Sequence, residues 1–387
     1  MSTVLEILFW TCAALIVWTQ VGYAAMLAVL AWMLGRPPAS VLPCDETLPS
    51  LSLIVAAHNE ESVIAARVAN ALALDYPRAL LEVIVACDGC TDATAARARE
   101  AGADVVLDLA RGGKIRAQDT AVARARGEIV AFSDANALWE PHAARMLVGA
   151  FADPRVGYAC GQVRFVQAAA ASAPTSVPNQ EGVYWRYELA LRAYESRLSS
   201  ITAGNGAIYA TRRDSYIVVD PIMGHDLSLP FKMVKRGLRA VYVPDARATE
   251  KMVPSLTGEY ARKRRMMSHT WPILLCGGML SPRGYPPAYA LMIFSHRLLR
   301  YVSPFLHVLA LAANVALLAA GAGTLYMVTL ALQLALLAGA LLAGGWRARP
   351  LLLARYYVLT TASPAAGLWD WLRHGTDATW EAAEGTR

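Results

Sequence analysis

The chain has 387 residues, of which 56% are hydrophobic and only 17% charged. A soluble domain carries about 25% charged residues, so part of this chain does not face water. The formal net charge of +6 suits an anionic membrane surface or phosphorylated substrates, and no motif that reads DNA or RNA accompanies it, which argues against a nucleic-acid partner.

Residues 5–34 are almost uncharged, longer than the ~20 residues that cross a hydrocarbon core. A cleaved leader would show a basic start, a short apolar run and a small-residue cut site. The segment is therefore read as an uncleaved transmembrane helix, ended by the linker Gly35-Arg36-Pro37-Pro38.

Residues 51–280 have mixed polarity. The apolar run 51–57 is of strand type and precedes a helical stretch over 60–74. Strand 82–87, helix 92–101, strand 103–107, helix 114–126 and strand 128–133 follow. Such alternation predicts a parallel sheet covered by helices, with ligands beyond the carboxyl ends of the strands. Three polar clusters fall there: His58-Asn59-Glu60, Asp88-Gly89 and Asp134-Ala135-Asn136. One cluster is often a cap or a turn. Three at one edge read as a site.

Cys87-Asp-Gly-Cys90 is formally a CxxC, but a redox reading needs a thioredoxin-like context. A zinc site would need a second cysteine pair, and the six cysteines supply none. Two reduced cysteines beside a functional Asp is the preferred reading. Asp134 and Asn136 stand one residue apart after an apolar strand, where both oxygens can turn toward a hard Mg²⁺ or Mn²⁺; a cap for a helix opening near Pro141 is the competing account. Residues 168–179, rich in Ala, Ser and Pro, read as a flexible loop. Residues 181–199 read as a helix whose Trp185, Tyr187 and Tyr194 suit an aromatic core stripe. Asp226 opens a helical stretch over 227–234 and suits a general base, again with a cap as rival; His225 is read as a bystander.

Residues 284–300 read as an interfacial amphipathic helix, and residues 301–320 and 324–343 as two spans joined by the turn Gly321-Ala322-Gly323. The basic segment Trp346-Arg347-Ala348-Arg349 then marks the cytoplasmic side, placing the soluble domain in the cytoplasm and Met1 outside. Residues 351–372 contain Arg355, Pro364 and Asp370, costly in lipid, so they span or lie in the interface. The division expected is 1–38 for the first helix and linker, 39–280 for the catalytic domain, 281–300 for the interfacial helix, 301–345 for the two spans and 346–387 for the last segment.

The stretches AAHNEES, VACDGCTDAT, RGGKIRAQDTAVARARGEIVAFSDAN, EGVYWRYELALRAYES, AGNGAIYATRRD and GHDLSLPFKMVKRGLRAVYVPDA together resemble the family 2 inverting glycosyltransferases of GT-A fold, the group of cellulose, hyaluronan and poly-N-acetylglucosamine synthases and bacterial exopolysaccharide transferases. The resemblance implies a Rossmann-like, mostly parallel α/β sheet flanked by N- and C-terminal transmembrane helices, and a hexosyltransferase at the bacterial inner membrane. Its donor would be a nucleotide sugar, by default a UDP-sugar, and its acceptor lipid-linked or a glycan.

The resemblance also implies roles. Ala57, Glu60, Asp88, Lys114 and Asp134 would meet the donor, with Asp134 and Asn136 at the metal, Asn136 standing where the DxD pattern has its second Asp. Gly204, Asn205, Gly206 and Trp185 would meet the acceptor, and Asp226 would be the base. The (Q/R)xxRW motif survives only as Arg262-Lys-Arg-Arg265-Met266; both arginines suit a diphosphate, while the lost Trp favours single transfer over processive synthesis. A processive synthase that translocates its polymer, and a non-catalytic subunit of a membrane assembly, are the alternatives. A transporter is disfavoured by the absence of repeats in the spans.

Overall fold

The computed structural model describes residues 2–36, 43–166, 178–251, 256–344 and 348–379. The loop expected over 168–179 lies almost wholly outside these residues, as do Pro37, Pro38 and Arg347.

Among the described residues, eight strands form one mixed sheet in the order β3-β2-β1-β4-β7-β6-β8-β5. The first four, β1 (Leu51–Ala57), β2 (Leu81–Asp88), β3 (Val105–Leu109) and β4 (Ile129–Asp134), are parallel. Their central residues, such as Leu53, Ile54, Val55, Val83 and Ile84, are wholly buried, as expected of strands covered on both faces. The sheet then reverses: β7 (Tyr209–Arg212) is antiparallel to both β4 and β6 (Val156–Val166). β8 (Arg239–Lys251) runs parallel to β6, and the short β5 (Leu138–Trp139) antiparallel to β8. The sheet is thus mixed, because its second half pairs strands distant in sequence.

This topology gathers chain ends at one edge. In-register pairs Ala57↔Cys87 and Ala56↔Asp134 align the carboxyl ends of β1, β2 and β4. Because β7 is antiparallel to β4, with Phe132 opposite Tyr209, the loop entering β7 arrives at that same edge. Two reversals later β8 again runs with β4 and finishes there.

Among the described residues, three helices are long and apolar enough to cross a membrane: Ser2–Met33, Pro287–Ala319 and Thr324–Leu342. The interfacial helix expected over 284–300 is not set apart as a helix of its own: Pro287–Met292 continues through a π-helical stretch, Ile293–Leu298, into Leu299–Ala319. The polar first half of this run is spent on protein contacts: His296 and Arg297 are 2% and 8% exposed. The C-terminal helix, Arg349–His374, is not among the three. It lies along the helix Leu256–Leu275, where Asp370 takes both Arg264 Nε and Nη2 at 2.6 Å and Trp271 Nε1 donates to the Pro364 carbonyl at 2.8 Å.

Candidate active site

A cavity of about 850 Å³ opens at this edge and is lined by every residue expected at the donor, metal, acceptor or base: Ala57, Glu60, Asp88, Lys114, Asp134, Asn136, Trp185, Gly204, Asn205, Gly206, Asp226, Arg262 and Arg265, though not by Asn59, Gly89 or Tyr194. Its volume lies within the range of small-molecule sites.

At the β2 end, the Asp88 carboxylate is 4% exposed and largely committed. It accepts from the backbone amides of Gly112 at 2.6 Å and Gly113 at 3.0 Å, with Arg111 Nη1 at 3.5 Å. Gly113 sits at φ +93°, a conformation in which only glycine is unstrained. Asp88 therefore fixes the loop that launches the helix Lys114–Arg124, and its place against the cavity comes with that work.

That helix begins with Lys114, whose ammonium pairs directly with the Asp134 carboxylate at the end of β4. The backbone turns after Asp134, its carbonyl accepting from the Ala137 amide at 3.3 Å. The next helix starts only at Ala143, behind His142, so Asn136 caps no helix and faces the cavity instead.

The loop 204–206 is held from within. Asn205 donates to the Gly161 carbonyl at 2.7 Å and accepts from the amides of Ala207 and Ile208 at 3.1 and 2.9 Å, so its side chain shapes the loop. A β-carbon on Gly204 would overlap the Tyr158 hydroxyl. A β-carbon on Gly206 would stand 3.1 Å from Lys114 Nζ and 3.5 Å from Asp134 Oδ2, which places this glycine against the Lys114–Asp134 pair.

Asp226 is the second residue of the helix His225–Lys235, whose N-cap is Gly224; the capping account of Asp226 thus fails. Burial raises its carboxyl above the ordinary range, with Lys114 pulling it back down. His225 is buried, its Nδ1 and Nε2 meeting the hydroxyls of Tyr209 at 2.9 Å and Tyr216 at 3.1 Å. Burial, and then Lys114, push it down to about 3, so it is a neutral core histidine. Trp185 spends its indole N–H on the Val163 carbonyl at 3.0 Å and packs edge-on against Phe165, serving core and cavity wall together.

One residue on this wall escaped the sequence reading. Glu250, next to last in β8, lines the cavity, and burial plus the Asp134 charge push it up to about 7. It stands in no recognisable motif, and only the strand pairing brings it here. All six cysteines are free, and among the described residues no group of three or more His, Cys, Asp or Glu is arranged to hold a metal alone.

The sequence pattern described as "Glycosyltransferase like family 2" matches residues 49–268. A β-monoglucosyldiacylglycerol synthase of Synechocystis sp. is 32% identical over 223 residues, 54% of this chain and 44% of that protein. An N-acetylglucosaminyltransferase of Rhizobium meliloti is 26% identical over 264 residues, 63% of this chain and 61% of that protein. The chain spans about half the length of the curated relatives it matches. Among solved structures, the mannosyltransferase PcManGT from Pyrobaculum calidifontis, in complex with GDP-Man and Mn²⁺, superposes with a TM-score of 0.72 at 25% identity, over 95% of this chain and 99% of that one.

Proposed function

Since this chain belongs to the family-2-like glycosyltransferases, an assignment that carries the GT-A fold with it, we propose that it moves one sugar at a time, with inversion, from a nucleoside-diphosphate sugar to a lipid-linked or glycan acceptor at the cytoplasmic face of a membrane. The observation carrying this reading is the convergence of Lys114, Asp134, Gly206 and Asp226 on one cavity.

In the reaction, the acceptor oxygen bonds to the anomeric carbon as the bond from that carbon to the diphosphate oxygen breaks. Asp226 takes the proton from the acceptor hydroxyl; its raised affinity for a proton suits a base, and general-base assistance is worth roughly a hundredfold to ten-thousandfold. The departing diphosphate gains negative charge. Arg262 and Arg265 line the same cavity and can grip it through paired N–H donors, with Lys114 beside them. Gly206 leaves the acceptor sugar room to approach.

The oxygen donors of Asp134 and Asn136 fit a hard divalent cation, Mg²⁺ or Mn²⁺, which is commonly held by one or two carboxylates with donor phosphates and water completing its shell. When bound, the ion offsets charge on the diphosphate. The Mn²⁺ in the PcManGT complex supports this reading. The three apolar helices support a membrane setting. Met266, standing where processive members carry Trp, supports single transfer.

The test is a panel of UDP- and GDP-sugars offered to the purified protein with lipid-phosphate and diacylglycerol acceptors, the products read by mass spectrometry. Addition of one sugar, lost in Asp226→Asn, is expected. A ladder of products would replace single transfer by processive synthesis; no transfer from any donor would favour a non-catalytic subunit.

A further inference from the structure

The pair formed by Asp134 and Asn136 brings a single negative charge to a site that must hold a divalent cation beside a diphosphate. Strand pairing delivers a second one from far along the chain. The antiparallel register of β5 and β8 sets Leu138 opposite Thr249 and Trp139 opposite Ala248, and Thr249 Oγ1 donates to the Leu138 carbonyl at 3.3 Å. Continued by one residue, that register puts Glu250 level with Ala137, the chain neighbour of Asn136. Asp134, Asn136 and Glu250 all line the same cavity, and the negative charge of Asp134 acts on Glu250. Two carboxylates lining one partly buried wall call for a neutralising partner. Lys114 answers Asp134; among the described residues no hydrogen bond or salt bridge is made to the Glu250 carboxylate, on which the charges of Lys114 and Arg262 act.

We propose that Glu250 is the second carboxylate of the divalent-cation site, supplying from β8 the charge that Asn136 does not. The cation would then be held between the two halves of the sheet, by Asp134 at the end of β4 and Glu250 at the end of β8. This rests on the reading of the cavity as a cation-assisted donor site, but it makes a separate claim about one side chain.

Mn²⁺ binding to the full-length protein in detergent, read by the loss of the free-ion electron paramagnetic resonance signal with and without UDP or GDP, tests it without any turnover. Glu250→Gln is expected to weaken Mn²⁺ binding by at least about tenfold, the scale on which supporting groups alone act. Asn136→Asp placed in the Glu250→Gln protein is expected to recover most of that loss, because it restores the missing charge one strand away. Equal thermal unfolding of the variants separates a binding defect from a folding one. Glu250→Gln binding Mn²⁺ within twofold of the parent would overturn the proposal, as would failure of Asn136→Asp to recover any binding, or a parent protein that binds no Mn²⁺ even with nucleotide. Should the parent bind Mn²⁺ through Glu250 yet transfer no sugar, the proposed function would fail while this assignment stood.

Discussion

The backbone amide of Gly204 donates to the carbonyl of Asp226 at 2.7 Å, which ties the loop that would meet the acceptor to the turn that carries the proposed base. Arg192 Nη2 strengthens the tie by donating to the Gly204 carbonyl at 3.0 Å. The other side of Asp226 is equally close: a β-carbon on Gly224 would stand 2.6 Å from its Oδ1. Gly224→Ala must therefore swing the carboxylate away. Displacements of about 1 Å in a reacting group cost on the order of a hundredfold, so kcat is expected to fall by that order with donor KM nearly unchanged, measured by initial rates over a donor series.

Asp226 also links activity to stability. Its carboxyl is raised by burial, so the folded protein resists the charged form. The stabilisation this gives is complete below the unfolded value of 3.8 and is lost as pH climbs through the raised folded value. Asp226→Asn removes that loss. Its melting temperature should exceed the parent's at pH 7 to 8, with the gap closing as pH falls below the ordinary carboxylate range. Thermal unfolding across a pH series checks both the sign and the closing of the gap.

Gly206 offers a steric test of the site. Its missing side chain leaves space next to Lys114 Nζ and Asp134 Oδ2. Gly206→Val would fill it where donor and acceptor must touch. Transfer is expected to drop by at least about a hundredfold while the melting temperature holds, because the new atoms enter a cavity and meet the flexible end of a lysine. A large loss of thermal stability would mean that the glycine serves the fold.

Away from the cavity, Tyr23 in the first helix donates to Glu195 Oε1 at 2.8 Å, and the same carboxylate meets His296 Nδ1 at 2.6 Å and the Thr202 amide at 2.9 Å. Glu195 is fully buried, so each donor counts. Tyr23→Phe leaves one site on a buried carboxylate unanswered, worth about 1–3 kcal/mol. A lowered melting temperature in detergent, with donor KM unchanged, is the expected result.

Much of this was legible in the chain. β1, β2 and β4 announced themselves because unbroken apolar runs suit strands buried on both faces, and Asp88 and Asp134 because polar residues right after such runs fall at the ligand-binding edge. The second half of the sheet was not legible. β6, β7 and β8 pair across long separations, and no local pattern records their partners. Glu250 was missed for that reason. The run 284–300 misled for another: Arg297 and Arg300 look like the wet face of a surface helix, yet Arg297 donates to Thr202 Oγ1 at 2.8 Å and Arg300 pairs with Glu188. A charge whose partner sits about a hundred residues earlier reads as solvent-facing until the fold joins the two.

The continuous helical segment Pro287–Ala319 bears on depth. Its 33 residues, at about 1.5 Å each, make a rod of roughly 50 Å, while a bilayer's oily interior is about 30 Å thick. With its apolar half in a bilayer, the surplus forms a post for the body that carries the cavity, clamped through His296 and Arg297 within the π-helical stretch Ile293–Leu298. That stretch and Pro304 are the places where such a rod bends, so the height of Asp226 above the lipid tails is set by helix length together with the bend there. Vesicles of short- and long-chain lipids would then turn over at different rates even with the acceptor headgroup held constant.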